Sequence, residues 1–151
     1  MAAITANTSA LGSDVLGTAA NSLAAGSFCV TSAIDLSATD PLDALVQVEV
    51  TPGTVSGNKQ VLVYAKVSLD GTAYSTGPES GSTATDEPNL FFLGALPLNS
   101  NATLQRDVFS VAAALGFVPP YMKVVLKNDS GVALAASGHS VKLATQAGVS
   151  A

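Results

Sequence analysis

Residues 44–71 read ALVQVEVTPGTVSGNKQVLVYAKVSLDG, and this stretch decides the fold. Its first part, residues 44–51, alternates valine with polar residues, which is the period-two pattern of a half-buried β-strand. Its second part, residues 60–69, alternates too, but the second face is half apolar, which predicts a central strand. Pro52-Gly53 between the two parts and Asp70-Gly71 after them are turn signals. The stretch therefore predicts neighbouring strands of an antiparallel sheet.

The same kind of pattern extends to both sides of this stretch. Further strands are predicted within residues 27–36, 72–75, 90–98, 104–111, 121–128, 132–138 and 139–146. Gly94 permits a bulge or bend in its strand. Residues 111–117 have helix-former composition and predict one or two helical turns that end at Gly116. About eight or nine short strands with little helix predict an all-β chain, an antiparallel β-sandwich of jelly-roll or immunoglobulin-like kind.

The amino-terminal 25 residues do not fit the strand pattern. Their large apolar side chains are isolated from one another; they are Ile4, Leu11, Val15, Leu16 and Leu23. We therefore predict an extended N-terminal arm over 1–25 that docks on its own domain or on a neighbour, and one β-sandwich domain over 26–151. Because ordering such an arm offsets most of what its burial would gain, we expect it to be ordered only in an assembly.

Residues 75–89 contain Gly, Pro, Ser and Thr together with three acids and no cation. This composition predicts an exposed loop between two strands. Asp86 and Glu87 lie in it, and a second group of acids consists of Asp35, Asp40 and Asp43. Either group is compatible with Ca²⁺, but solvated turn acids are the favoured interpretation, so we expect no metal.

Composition excludes several classes of function. The chain has 151 residues, a net charge of −5, six cations, one Cys and one His. Six scattered cations argue against nucleic acid and against anionic lipid as partners. A single Cys excludes an internal disulfide framework, and no apolar run approaches the roughly 20 residues of a membrane span. The first 25 residues lack the cation and the apolar block of a secretory signal peptide, so we expect no export.

No catalytic constellation is visible in the sequence, and we expect neither an enzyme nor a cofactor. Cys29 lies within an apolar strand, which indicates a buried side chain, and His139 is expected to be an exposed turn residue. The tyrosines that could line a sugar cleft are Tyr64, Tyr74 and Tyr121, which are more simply interpreted as structural. Arg106 is the only arginine, and it is a candidate interface residue because arginine anchors are enriched in protein interfaces.

The carboxy-terminal half resembles small β-sandwich structural proteins of tailed bacteriophage virions. The matching features are residues 68–75 with their SLDG turn, the acidic loop that follows, the strand 89–98 with Gly94, Leu96 and Pro97, and the segment 103–138, whose proline-containing part leads into the strand at 121–128. Within 121–138 the matching residues are Lys123, Lys127, Asn128, Ser130, Gly131, Leu134, Ser137 and Gly138. These are strand and turn features, and they cover about half of the chain.

The resemblance implies a virion component without enzymatic activity, most simply a capsid decoration or cement protein. The implied partners are the major capsid protein or other virion subunits, with a homo-oligomer, a trimer by preference, on the capsid surface. Ile4, Leu11, Val15, Leu16, Leu23 and Arg106 are the candidate interface residues. A neck or tail component and a glycan-binding jelly-roll module stay open as alternatives. Synthesis in the host cytoplasm is expected, since no export signal is visible.

Overall fold

The structure, a computed structural model, describes residues 4–55, 59–82 and 89–150. Within them it contains nine strands and one short helix. The elements are β1 (Ile4–Thr8), β2 (Phe28–Val30), β3 (Ile34–Asp35), β4 (Asp43–Val50), β5 (Lys59–Ser68), β6 (Phe91–Leu98), β7 (Gln105–Ser110), α1 (Val111–Leu115), β8 (Tyr121–Asp129) and β9 (Ser140–Ser150).

The strands form two antiparallel sheets. Sheet A has the order β1-β9-β4-β7, and sheet B has the order β2-β8-β5-β6, with β3 also paired to β8. The alternation seen in the sequence sets the buried face: Val46, Val48 and Val50 of β4 point into the core. The expected all-β sandwich is confirmed, and β5 is central in its sheet because it pairs with β6 on one side and β8 on the other.

Two local predictions are also confirmed. The chain makes one helical turn and a half at α1, where the Ser110 hydroxyl accepts a hydrogen bond from the Ala113 N–H and Gly116 ends the helix in the left-handed region. In β6 the register shifts so that Val63 opposes Gly94 while Tyr64 opposes Phe92, which is a bulge at the expected place.

Two predicted short strands are absent from the described residues. Residues 72–75 form no strand, because the Asp70 carboxylate accepts hydrogen bonds from the Thr72 and Ala73 N–H groups, each at 2.8 Å, and holds them in a turn. Residues 132–138 contribute a single bridge, between Leu134 and Pro52. In both places the local turn chemistry wins over an apolar alternation of only a few residues.

The N-terminal segment packs on its own domain, one of the two outcomes expected for it. β1 pairs with β9, and Leu16, Ala20 and Leu23 join the core cluster that β4 and β5 line. The expectation that the whole segment becomes ordered only in an assembly is wrong for Leu16 and Leu23, because their burial takes place within a single chain. The expectation fails for these residues because their side chains are buried against the strands of the same chain and need no neighbouring subunit.

The loop after β5 was expected to be exposed, and its described part is exposed in part: Glu79, Ser80 and Gly81 are exposed, whereas several other positions are covered against sheet B. Residues 75–82 cross the outer face of sheet B, where Pro78 is buried and the Gly81 N–H donates to the Phe28 carbonyl at 2.7 Å. A second small core lies beneath, formed by Phe28, Tyr64, Leu90 and Val125. These apolar side chains point away from the main core and need their own cover, which the loop supplies. Asp86 and Glu87 lie outside the described residues.

Candidate interaction surface

The six interface residues expected from the sequence do not form one surface. Leu16 and Leu23 are buried, and Val15 is half-buried against the main core, so these side chains are used within the chain. Leu11 is exposed. Ile4 lies in β1, opposite Ser150.

Arg106 lies on β7, away from the N-terminal segment in the sheet order. Its guanidinium is exposed and forms an ion pair with Glu49 at 2.9 Å across the β4–β7 pair. The Glu49 side chain is only 14% exposed, whereas that of Arg106 is 61% exposed, so the arginine remains available at the surface.

A different apolar surface lies at β6 and α1, both of which contact β7. Phe91 and Phe92 at the start of β6 and Phe117 after α1 are all exposed, with exposed fractions of 37%, 52% and 43%. The rings of Phe91 and Phe117 meet edge to face with their centroids 5.8 Å apart. The ring of Phe92 lies 5.4 Å from that of Tyr64. Phe92 follows Phe91 directly in β6 and therefore points to the opposite face, beside Tyr64. We call Phe91 and Phe117 the phenylalanine patch.

The position of β6 explains why these rings reach solvent. β6 is the last strand of sheet B, so one of its edges has no partner strand among the described residues. Helix α1 packs against β6, and the left-handed Gly116 then redirects the chain so that Phe117 comes to lie beside Phe91. Exposed aromatic groups that lie together mark interaction sites more often than scattered ones do.

The surroundings of the phenylalanine patch carry no charge in the sequence. Residues 88–105 and 108–122, which include β6 and α1, contain no Asp, Glu, Lys or Arg. Natural edge strands are commonly protected by charged side chains, whereas β6 has only Pro97 and its bulge for that purpose. An uncharged aromatic edge on a chain with net charge −5 is suited to contact with other protein.

Sequence reasoning missed this patch because the apolar run LFFLGALPL (90–98) predicts a strand but does not indicate which of its side chains reach solvent. Successive residues of a strand point to opposite faces, so an edge strand cannot bury every side chain of a continuous apolar run. The adjacent pair Phe91-Phe92 was the signal that could have found the surface, since the inner face of β6 is already filled by Leu96 and Leu98.

Cys29 and His139, the two candidates for nucleophilic chemistry, are both engaged in the fold. Cys29 is fully buried, and desolvation raises its pKa to about 12, which a hydrogen bond with the Leu126 backbone opposes only in part. His139 is half-buried, which differs from the exposed position expected. Its Nδ1 accepts from the Thr51 N–H at 3.3 Å, and its Nε2 lies 2.9 Å from the Ala135 carbonyl, so the ring joins two loops.

The acids of the 35–43 group act in turns and caps. Asp35 accepts hydrogen bonds from the Ser37 hydroxyl and N–H, which lower its pKa. Asp43 accepts from the Ser110 hydroxyl at 2.6 Å and from the Ala112 N–H at 2.8 Å, and it thereby fixes the start of α1 to β4. Within residues 4–55, 59–82 and 89–150, no group of three or more His, Cys, Asp or Glu could hold a metal ion.

A cavity of about 430 Å³ lies beside the loop that covers sheet B. Its lining consists of Lys66, Thr72, Tyr74, Ser75, Thr76, Gly77, Glu79 and Lys123. The Lys66 ammonium donates to the carbonyls of Gly77 and Pro78, each at 3.3 Å, and pairs with the Glu79 carboxylate. The Lys123 ammonium lies over the Tyr74 ring, 4.6 Å from its centroid. Both cations therefore serve to dock the loop.

Tyr74, one of the possible sugar-stacking tyrosines, is covered in this way on one ring face. Desolvation, and then the negative charge of Asp35, raise the pKa of its phenol. Tyr64 belongs to the small core on sheet B, and the Tyr121 ring packs against the turn at Gly71. The three tyrosines do not form a common open platform.

Comparisons of the chain with protein-family models, with curated proteins and with solved structures found no match. Among the described residues, no helix is both long enough and apolar enough to cross a membrane.

Proposed function

We propose that this chain is a non-enzymatic structural protein of a tailed-phage virion, and specifically a capsid decoration or cement protein. In this role it binds the outer capsid lattice, as a homo-oligomer and by preference a trimer, and stabilises the shell. The observation that carries the proposal is the uncharged phenylalanine patch at β6, the exposed pair Phe91 and Phe117. It fits a function performed by association.

The residues of the phage resemblance fit a scaffold role as well. The Ser68 hydroxyl accepts hydrogen bonds from the N–H groups of Asp70 and Gly71, which closes the SLDG turn. The Asn128 amide, fully buried, donates to the carbonyls of Leu23 and Val132. These residues shape turns and tie segments together, so the features shared with the phage proteins are structural ones.

Burial of the phenylalanine patch would supply the binding free energy. Full burial of a phenylalanine contributes about 1.5–3 kcal/mol, and aromatic residues in a well-packed centre dominate many interfaces. Arg106, the exposed arginine of β7, is then available to a polar rim. No cation cluster or charge-driven step is needed for this mode of binding.

The test uses phage particles from which the gene for this chain has been deleted. Purified wild-type protein is added, and bound copies are measured by co-sedimentation with the particles. The double variant Phe91→Ser/Phe117→Ser is expected to lose at least 90% of the occupancy. The control Leu69→Ser removes an apolar side chain that is 83% exposed beside Asp70, and it should bind like wild type.

Electron microscopy of the same particles separates decoration from the neck or tail alternative. Copies repeated across the shell at the symmetry axes are expected. Copies confined to one vertex or to the tail would contradict the decoration role, and full binding by the double variant would contradict the role of the phenylalanine patch.

A further inference from the structure

The first part of the N-terminal segment lies along the outer edge of sheet A. We call residues 4–13 the edge segment. β1 pairs with the last residues of β9, from Ile4 opposite Ser150 to Thr8 opposite Gln146. The contact continues beyond β1, where the Ser9 N–H donates to the Thr145 carbonyl at 2.8 Å and the Gly12 N–H donates to the Leu143 carbonyl at 2.7 Å.

The edge segment is held chiefly by backbone pairing. The side chains of residues 5–13 are exposed, so these residues add no buried side chain to either core. Gly12 makes the close approach possible, because a Cβ there would lie 3.2 Å from the Leu143 carbonyl oxygen. The conformational entropy lost when these residues become ordered opposes the stabilisation from their hydrogen bonds. Apolar burial adds little further stabilisation to the ordered segment.

The outer end of this pairing extends beyond the rest of sheet A. Strand β4 pairs with β9 only as far as Asp43, which is opposite Gln146, whereas β1 pairs with β9 from Gln146 to Ser150. Residues 147–150 and 4–7 thus form a two-stranded ribbon without a third strand among the described residues. A ribbon of two strands is marginally stable by itself in water.

A firm anchor follows directly after the edge segment. The Asp14 carboxylate accepts hydrogen bonds from the N–H groups of Leu16 at 3.0 Å and Val141 at 2.8 Å, and Leu16 is buried in the core. The chain is therefore fixed from Asp14 onward and weakly held before it, so the edge segment can leave β9 while the domain stays folded.

We propose that the edge segment exchanges between copies, so that residues 4–12 of one copy pair with β9 of a neighbouring copy. The exchanged pairing makes the same hydrogen bonds in the same register as the pairing within one chain. Neither the edge segment nor residues 143–150 carry a charge, so the net charge of −5 does not oppose the contact locally. The occupant is a second copy, because only this sequence repeats the register of Thr8 with Gln146 and of Ser9 with Thr145.

The edge segment makes the same contacts with its own β9 and with the β9 of a neighbouring copy. The ratio of the two paired states therefore depends on the local concentration of the protein. A covalently attached segment has an effective concentration on the order of millimolar, so exchange is a minor species in dilute solution. It becomes favourable where copies are held side by side. The inference rests on the homo-oligomer of the proposed function, but it does not depend on which lattice the oligomer binds.

The test is disulfide trapping between two differently tagged single-cysteine additions, Thr8→Cys in one copy and Gln146→Cys in the other. Cys29 stays in place because it is fully buried. The two proteins are mixed from about 10 µM to about 1 mM, around the effective concentration, and oxidised. The yield of the disulfide-linked heterodimer should increase with protein concentration. It should be at least tenfold higher than the yield from a control pair. The control pair, Gln47→Cys and Lys142→Cys, lies opposite one another between central strands of sheet A.

A yield no higher than that of the control pair at 1 mM would overturn exchange. A second variant guards against cross-linking by chance: Thr8→Cys/Gln146→Cys in one chain, oxidised at high dilution, locks the edge segment on its own β9. If the locked protein forms the same oligomer as its reduced form at 1 mM, exchange is also overturned. Failure of the proposed function is distinct, because loss of capsid binding by the patch variant leaves the trapping yield unchanged.

Discussion

The ring of Phe117 packs edge to face against the ring of Phe91, which connects the turn after α1 to the free edge of β6. Both rings remain partly exposed although they contact each other. The contact holds the two side chains in fixed positions, so that less rotamer entropy is lost when a partner covers them. A preorganised aromatic pair of this kind is what a binding surface requires, whereas the core of the domain gains little from it.

Phe117→Ala should therefore affect folding and association very differently. We expect the free energy of unfolding to fall by no more than about 1.5 kcal/mol, the range for an aromatic pair, as measured by urea denaturation. Occupancy on capsid particles in the co-sedimentation assay should fall at least tenfold. Phe109→Ala is the contrasting variant, because Phe109 lies in the main core and its loss should destabilise the fold by roughly 3–5 kcal/mol. Equal destabilisation by both variants would assign Phe117 to the core.

Lys66→Met should release the loop from sheet B. The Lys66 side chain is 4% exposed and its donors are satisfied by residues 77–79, so methionine fills the space but leaves two carbonyls without that donor. We expect a loss of roughly 1–3 kcal/mol in the free energy of unfolding. Amide hydrogen exchange should accelerate at Gly81, whose N–H bonds to Phe28. Glu79→Gln is the control, because its carboxylate is largely exposed and should contribute less than about 1 kcal/mol.

Asn128→Ala should destabilise the domain by roughly 2–4 kcal/mol, because the buried Leu23 carbonyl and the partly buried Val132 carbonyl lose their donor and the Ser130 hydroxyl loses an acceptor at 2.6 Å. The variant also loosens the tie between Leu23 and the β8–β9 connection. Thermal or urea unfolding measures the change. Asn89→Ala removes an exposed amide bonded to the Thr76 hydroxyl and should stay within about 0.5 kcal/mol of wild type. If the two variants are equally mild, the buried amide is not a structural tie.

The sandwich was predictable because its signals are local. Alternating valines fix the inner face of β4, and Asp70-Gly71 and Gly116 fix where elements end. What could not be predicted depends on contacts between distant segments. Leu16 and Leu23 looked isolated because no periodic pattern surrounds them, yet Asp14 and Asn128 hold their segment over the core through bonds that span more than 100 residues.

The candidate surface shows the same division. The composition of residues 75–82 indicates a loop correctly but does not reveal that Leu62, Tyr64 and Val125 leave an apolar outer face for it to cover. Conversely, the apolar run of β6 indicates a strand correctly but does not reveal that the strand is at an edge. The order of the strands in the sheet determines which side chains are exposed. That order cannot be predicted from the sequence of one strand alone.

Cys29 makes the stability of the domain dependent on pH in the alkaline range. Burial raises its pKa from 9.0 to about 12, so the native state keeps the thiol proton at pH 10 while the unfolded chain releases most of it. The unfolded state then binds fewer protons, and the free energy of unfolding falls as pH rises above 9. The contribution is largely present below pH 9 and is reduced by roughly 1 kcal/mol at pH 10.

The measurement is urea unfolding at pH 7.5 and pH 10 for wild type and for Cys29→Ala. Other groups that titrate in this range act in both proteins, so the difference between them isolates the thiol. We expect wild type to lose roughly 1 kcal/mol more than the variant between the two pH values. A parallel decline in both proteins would mean that the thiol ionises as easily in the native state as in the unfolded one. Cys29 would then have access to water, and a thiol reagent should modify it without unfolding.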